Sequence, residues 1–443
     1  MKTQAITYNT SNYVEKFMVS SLAIISLFSF ISCQNIADEE FTFEEIAPIA
    51  YDIDKSESTL SARIQPVHKI ASIEKSELFN SQLKGNETAS NSNDNYYWEY
   101  VADLAPMTVN NSNLSVSHIS LNNNKAFISY HKEGIQQLGA IETIDLSNID
   151  QPKVISKAIF PNSDINAIST GFSDHSSSQK IWLAMSNEES GAHLFEIDTQ
   201  DGLLTNINRQ VNLSNTLNSG VSTSANAIAI TNNYLYVTAG NDFGGMVQLD
   251  INSLSIVGTE RYQNAKYVVA NGTTDITIAA LSTGKYAQLN TNRVYRVLKT
   301  NSFSIGEIQH QNIEDEDNGH ATMEFSPLNK EYLYISKGKF GLGLYDIKNG
   351  SLLNKSHESM LSSGNTNAVT TDDNFIYMAN GTDGIAIAPH PTSKNEDIIP
   401  AFQWDLEDPT DAANYVIAKG DWIFVATSKG GVKILRRRTK DNS

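Results

Sequence analysis

A chain of 443 residues carries 50 acidic against 32 basic side chains, a formal net charge of −18. Phosphate backbones and anionic lipid surfaces are held by a basic footprint, so nucleic acid and charge-driven membrane-surface binding are excluded as main roles. Forty per cent apolar residues support a substantial core, and one cysteine, Cys33, leaves no intramolecular disulfide and no cysteine-based zinc site.

Residues 18–31 are apolar and uncharged. That run is short of the ~20 residues that span a bilayer and suits the hydrophobic stretch of a secretory signal. It ends at Phe30-Ile31-Ser32-Cys33, which resembles a bacterial lipobox. The match departs at Phe30, where the family prefers Leu, and in the long, weakly basic leader (Lys2, Lys16, against Glu15). The resemblance implies cleavage before Cys33 and acylation of that residue. The acidic cluster Asp38-Glu39-Glu40 resembles the surface-export signal of Bacteroidetes lipoproteins. Residues 33–94 are poor in aromatics and end in Ser90-Asn91-Ser92-Asn93-Asp94-Asn95. Such a polar run cannot bury enough surface to offset chain entropy, so a flexible tether is expected, with a short ordered piece around Ile46 to Ile53.

From Tyr96 onward β-branched and aromatic residues dominate, with turn residues every eight to twelve positions, an all-β pattern. A phrase returns along this region: an apolar inner strand, a polar turn, then a second apolar strand with an aromatic residue. Asn226-Ala227-Ile228 leads to Tyr234-Leu235-Tyr236-Val237, Asn367-Ala368-Val369 to Phe375-Ile376-Tyr377-Met378, and Asn414-Tyr415-Val416 to Trp422-Ile423-Phe424-Val425. Repeats begin near Ser117, Asn166, Asn226, Ala265, His320, Asn367 and Asn414. Their spacing averages about 50 residues, which suits one four-stranded propeller blade. Third strands tend to open with glycine (Gly191, Gly245, Gly343, Gly384, Gly431), read as tight turns. The last repeat lacks a fourth strand, and residues 96–101 form a strand without a repeat. Pairing the two would close the ring and hide an edge.

Gly245-Met246-Val247-Gln248-Leu249-Asp250 and Ile144-Asp145-Leu146-Ser147-Asn148-Ile149-Asp150-Gln151-Pro152 resemble the LVIVD-repeat propellers, typically secreted or lipidated proteins of Bacteroidetes and related bacteria. The resemblance covers most of residues 117–438 and is poorest in the fourth repeat, where Ala265-Lys266-Tyr267 replaces the usual opening.

Propeller topology puts the first position of each inner strand at the axial mouth. Among Ser117, Asn166, Asn226, His320, Asn367 and Asn414, asparagine has two readings. It caps turns through its own backbone, or it forms a ring of amides suited to a sugar or a peptide backbone. Neighbouring loops add His131, Asp242, Phe243, Phe340 and Asp383 as candidate ligand contacts. The acidic run 314–317 lacks the spacing of a calcium loop and reads as a solvated turn, and Arg436-Arg437-Arg438 as a solvated tail. There is no G-x-S-x-G elbow, no H-E-x-x-H, no histidine spacing for a metal and no glycine-rich phosphate loop.

The expectation is an all-β, seven-bladed β-propeller over residues 95–443, closed by its N- and C-terminal strands and preceded by a lipoprotein signal peptide (1–32) and a tether (33–94). The expected role is a non-catalytic binding or scaffold lipoprotein without cofactor or metal. It is expected to sit on the outer membrane facing outward, anchored through Cys33, with a protein or glycan partner and no nucleic acid. The alternatives are a subunit of an outer-membrane assembly and a polysaccharide hydrolase or lyase.

Overall fold

The computed structural model describes residues 48–71, 74–75, 96–148, 150–171, 178–217, 220–240, 244–262, 264–271, 277–286, 289–298, 305–309, 321–347, 349–357, 360–406, 408 and 411–440. The signal segment, Cys33, Asp242, Phe243, His320 and the acidic run 314–317 lie outside them.

Side chains set every two positions with β-branched and aromatic shapes favour a pleated strand, and the chain is all-β with one short α-helix, Glu57–Leu60, among the described residues. Its strands form sheets that follow one another along the chain, antiparallel except where Asp397–Ile398 pairs parallel with Leu352–Ser356. The first sheet has the inner strand Ser115–Asn122, then Lys125–His131, Gly139–Asp145 and Lys153–Phe160. The next three begin at Ser163–Thr170, Ala225–Ile230 and Ala265–Asn271, the fifth and sixth at Met323–Phe325 and Ala368–Thr371. A closing sheet begins at Tyr415–Lys419. Each inner strand lies beside the inner strand of the following sheet, and Tyr415–Lys419 lies beside Ser115–Asn122. This is a β-propeller, with at least six blades.

Second strands are sandwiched between neighbouring sheets, which is why they read as unbroken apolar runs: Phe375–Ala379 is buried at all five positions. Their repeated aromatic fills the seam, and where it is tyrosine the hydroxyl finds a partner. Tyr130 donates to Glu142 Oε2 (2.7 Å) and Tyr377 to Asp372 Oδ2 (2.9 Å), while Tyr236 accepts from Gln248 (3.2 Å).

The closing sheet joins the two ends of the domain. Tyr96–Leu104 pairs antiparallel with Val432–Thr439, with Ala102 opposite Ile434 and Trp98 opposite Arg437. The three arginines are therefore part of a strand rather than the solvated tail expected from the sequence. Arg437 reaches Asp372 of the sixth sheet (2.6 Å), and Arg438 pairs with Glu99 (2.6 Å). Glycine before the third strand has a steric cause beyond the turn. At Gly431 (φ +88°) and Gly384 (φ +68°) a Cβ would collide with the fourth strand's carbonyls, Leu104 O and Trp404 O.

The ordered piece expected around Ile46 to Ile53 contains the strand Asp52–Asp54, and the tether expectation is corrected over residues 54–71 and 74–75, which continue it as a belt along outer edges. Asp52–Asp54 adds to the first sheet against Lys153–Phe160. Ile64–Ile70 adds to the closing sheet against Tyr96–Leu104, and Glu74–Lys75 to the sixth against Phe402–Trp404. Unpaired edge groups attract any extended segment, and Pro66, which lacks an N–H, is tolerated because its strand is the edge. The anchor is ionic: Arg63 clamps Glu142 through Nε–Oε1 (2.7 Å) and Nη2–Oε2 (2.9 Å) and donates to Pro106 O (2.6 Å). Tyr51 stacks on Phe160 at 5.4 Å.

Candidate axial binding site

Where the inner strands converge, a cavity of about 180 Å³ is lined by Val116, Ser117, His118, His131, Asn166, Asn226, Lys266, Tyr267, Ala321, Thr322, Asn414 and Tyr415. Its construction rests on a β-bulge near the start of four inner strands. The register slips at Val116/His118, Ile165/Ala167, Ala225/Ala227 and Ala265/Tyr267, leaving Ser117, Asn166, Asn226 and Lys266 as the extra residues. A bulge turns two consecutive side chains toward one side, where regular pleating would present one. So Ser117 with His118 and Lys266 with Tyr267 both reach the cavity, and Asn414 with Tyr415 line it as well.

The bulge layer is a set of stitches between blades. Asn166 Nδ2 donates to Ala225 O (2.8 Å), Asn226 Nδ2 to Ala265 O (2.6 Å) and Asn367 Nδ2 to Ala413 O (3.1 Å), while Ser117 Oγ donates to Ile165 O. Ile165, Ala225 and Ala265 sit just before the next sheet's bulge residue, and Ala413 just before Asn414. A bulge leaves carbonyls outside the ladder, and a buried unpaired carbonyl costs about 1–3 kcal/mol, so the neighbour's amide is recruited. These asparagines therefore do more than cap their own turns, and their donor groups already have partners within the fold.

One step deeper the residues differ in size. Ala167, Ala227 and Ala368 are small, whereas His118, Tyr267 and Tyr415 fill the axis from three sheets. Tyr415 Oη lies 2.9 Å from His118 Nε2, and their rings are 4.5 Å apart. Tyr267 shares a side-chain hydrogen bond with Tyr415 and lies 6.4 Å from the His118 ring. Behind these tyrosines Glu324 projects from the strand Met323–Phe325. Burial pushes its carboxyl up to about 7. Burial also pulls His118 down to about 4, opposed by the Ile168 backbone, and raises both tyrosines. At neutral pH His118 is uncharged. Burial lowers His131 as well, with Asp164 and Glu133 pulling the other way.

Of the residues expected at the mouth, Ser117, His131, Asn166, Asn226 and Asn414 line the cavity. Asn367 does not; it sits in the wall, bonded to Ala413 and, at 3.3 Å, to Asn414 Oδ1. Phe340 is an exposed turn residue with Lys339 over its ring at 5.4 Å. Asp383 accepts from Ser362 N (2.6 Å) and Ser362 Oγ (2.9 Å) and so ties down a loop away from the cavity. In the fourth repeat the ring position belongs to Lys266, one residue beyond Ala265. In the fifth, the Ser336 N–H donates to Thr322 O (3.1 Å), which puts Ala321 rather than His320 at that position. Sequence reasoning missed Lys266, His118, Tyr267 and Tyr415. Sliding the fourth repeat by one would have found Lys266.

No protein-family model matches the chain, and no curated protein matches it significantly. Among the described residues no group of histidine, cysteine, aspartate or glutamate is arranged to hold a metal ion, and no helix is long and apolar enough to cross a membrane.

Proposed function

We propose that this chain is a non-catalytic binding lipoprotein: a seven-bladed β-propeller tethered to the outer membrane through acylated Cys33, facing outward, with a ligand or partner engaged at its axial mouth. The observation that carries the binding reading is the axial cavity. Bulges turn paired side chains into it from two sheets, and a lysine, two histidines and two tyrosines line it. Seven blades are supported by the strand set beginning at Ala265–Asn271, which pairs as inner, second, third and fourth strands like its neighbours. The anchor is supported by the sequence around Cys33. No family match bears on the LVIVD-type resemblance, which stays part of this reading.

The test is capture of a partner from solubilised native membranes by the purified mature protein. The double variant Lys266→Ala, His131→Ala is expected to lose capture by at least tenfold while keeping its melting temperature within a few degrees. Capture unchanged by both substitutions would remove the mouth from the proposal. Release of reducing ends from polysaccharide by the same preparation would replace binding with catalysis.

A further inference from the structure

We propose that the rim of the axial mouth carries a site for a dianionic phosphate group, held by Lys337, in the turn after the fifth sheet's second strand, and Lys355, on its fourth. This rests on the binding reading above and adds a subsite beside the cavity. One turn recurs in three sheets: Lys337-Gly338-Lys339-Phe340-Gly341, Asn380-Gly381-Thr382-Asp383-Gly384 and Thr427-Ser428-Lys429-Gly430-Gly431. In each, the first residue's N–H donates to the carbonyl of the last (2.8, 2.8 and 2.9 Å). That first residue is buried, 8% exposed at Lys337 and 1% at Asn380 and Thr427. Two sheets place a short neutral group there and bond it locally: Asn380 Oδ1 accepts from Thr366 Oγ1 (2.8 Å), and Thr427 Oγ1 donates to Gly431 O (3.2 Å). The fifth places an ammonium. Ser336, just before it, donates its N–H to Thr322 O (3.1 Å), and Thr322 lines the cavity, so Lys337 stands at the rim.

The Lys337 ammonium makes no hydrogen bond or ion pair among the described residues. What acts on it is burial, then Lys355, and together they pull the amine down to about 8. The backbone brings Lys355 to the turn: it pairs with Gly343, and its neighbour Ser356 accepts the Leu342 N–H through Oγ (2.9 Å). The described acids around the turn do not serve it. Asp383, which takes Phe340's place in the next sheet's turn, accepts from Ser362 N (2.6 Å) and Oγ (2.9 Å). Asp397 stands opposite Lys355 across the edge strand, with no ion pair to either lysine. Glu324 lies deeper on the inner strand, and burial alone raises its carboxyl, with no lysine acting on it. Lys339 is engaged, over the Phe340 ring at 5.4 Å. A buried charge calls for a counter-charge, and the fold supplies none. Two ammoniums within electrostatic reach of one another match the two charges of a phosphate, which lysine holds as a point charge; a carboxylate would compensate one of them. The sealed, unpaired polar atoms include Asn380 Nδ2 but not Lys337 Nζ, so the tip of the lysine still meets open space.

The test is titration calorimetry of the full mature protein with inorganic phosphate, glucose 6-phosphate and acetate. Both phosphates are expected to bind at pH 7, and acetate at least tenfold more weakly. From pH 7 to 9 the charged fraction of an amine titrating near 8 falls roughly tenfold, and phosphate affinity should fall with it. Below about pH 6 a phosphate monoester loses its second charge, so glucose 6-phosphate should weaken there too. Lys337→Asn installs the residue that the sixth sheet uses in this turn and should weaken phosphate at least tenfold; Lys355→Met, a second variant should Lys337→Asn fold poorly, should weaken it several-fold. Tighter binding of the sugar ester than of inorganic phosphate would assign the group to a phosphorylated glycan, and the opposite order to free phosphate. Phosphate affinity unaltered in both variants, acetate binding as tightly as phosphate, or a flat profile from pH 7 to 9 would overturn the assignment. Partner capture by a protein that ignores every phosphate would defeat this inference and leave the binding reading intact. Phosphate binding without partner capture would do the reverse.

Discussion

Glu324 and His118 meet the same burial with opposite consequences. The folded carboxyl titrates near 7 against an ordinary 4.5, so the native state holds the extra proton between those values. Its contribution to stability is present below pH 4.5 and is lost as pH rises to 7. The folded imidazole titrates near 4 against 6.5, so its contribution is present above pH 6.5 and is lost as pH falls to 4. Between 4.5 and 6.5 the two slopes cancel. Glu324→Gln should expose the histidine: stability should climb from pH 4 to 6.5. At pH 8 the variant should exceed the wild type by up to about 3 kcal/mol. Denaturant unfolding across pH reads this directly, and an unchanged pH profile would show that Glu324 is not desolvated in the fold. The asparagines at this scale were visible in the sequence, but their bonding was not. An amide that reaches the next blade's carbonyl is a contact across 39 to 59 residues, and local turn rules carry no trace of it.

At the scale of the element, the bulge and the belt escaped the sequence for different reasons. A bulge adds one residue to a strand with period two, so matching repeats by their apolar pattern can land one place short. Ala265 and His320 are the residues that pattern selects, one place before Lys266 and Ala321. The belt beyond Ile53 reads as tether in the sequence because its residues have too little apolar content to fold alone. Their strands exist only because a sheet edge offers a ladder, and Arg63 is held by a glutamate 79 positions away. That pair also predicts the belt's weak point. Glu142 is fully buried with Tyr130 as its other partner. Arg63→Met would strand a buried carboxylate at a cost of about 3–5 kcal/mol. Adding Glu142→Gln should recover part of the loss. Unfolding curves and protease sensitivity of residues 48–75 check both, and a single-variant cost under 1 kcal/mol would show that the belt is held elsewhere.

For the whole molecule, closure was legible from an accounting of strands: one too few at the end, one too many at the start. The pairing of Val432–Thr439 with Tyr96–Leu104 matches that reading. The ring depends on this seam, so Ile434→Ala, at a fully buried site in it, should cost about 3 kcal/mol. Ile256→Ala, on an exposed outer strand, should stay within ~0.5 kcal/mol. Equal, small effects in thermal unfolding would mean that the seam carries no special share of stability.

By itself the sequence determined the all-β class, the repeated strand pair, the terminal seam and the general place of the mouth, because each follows from periodicity and chain order. Only the tertiary structure decided that the asparagines stitch blades and that Lys266 enters the cavity. It also decided that the axis is filled by His118, Tyr267 and Tyr415. The reason is geometric: residues from different blades meet only once the ring is closed, and a one-residue bulge then selects which side chains arrive.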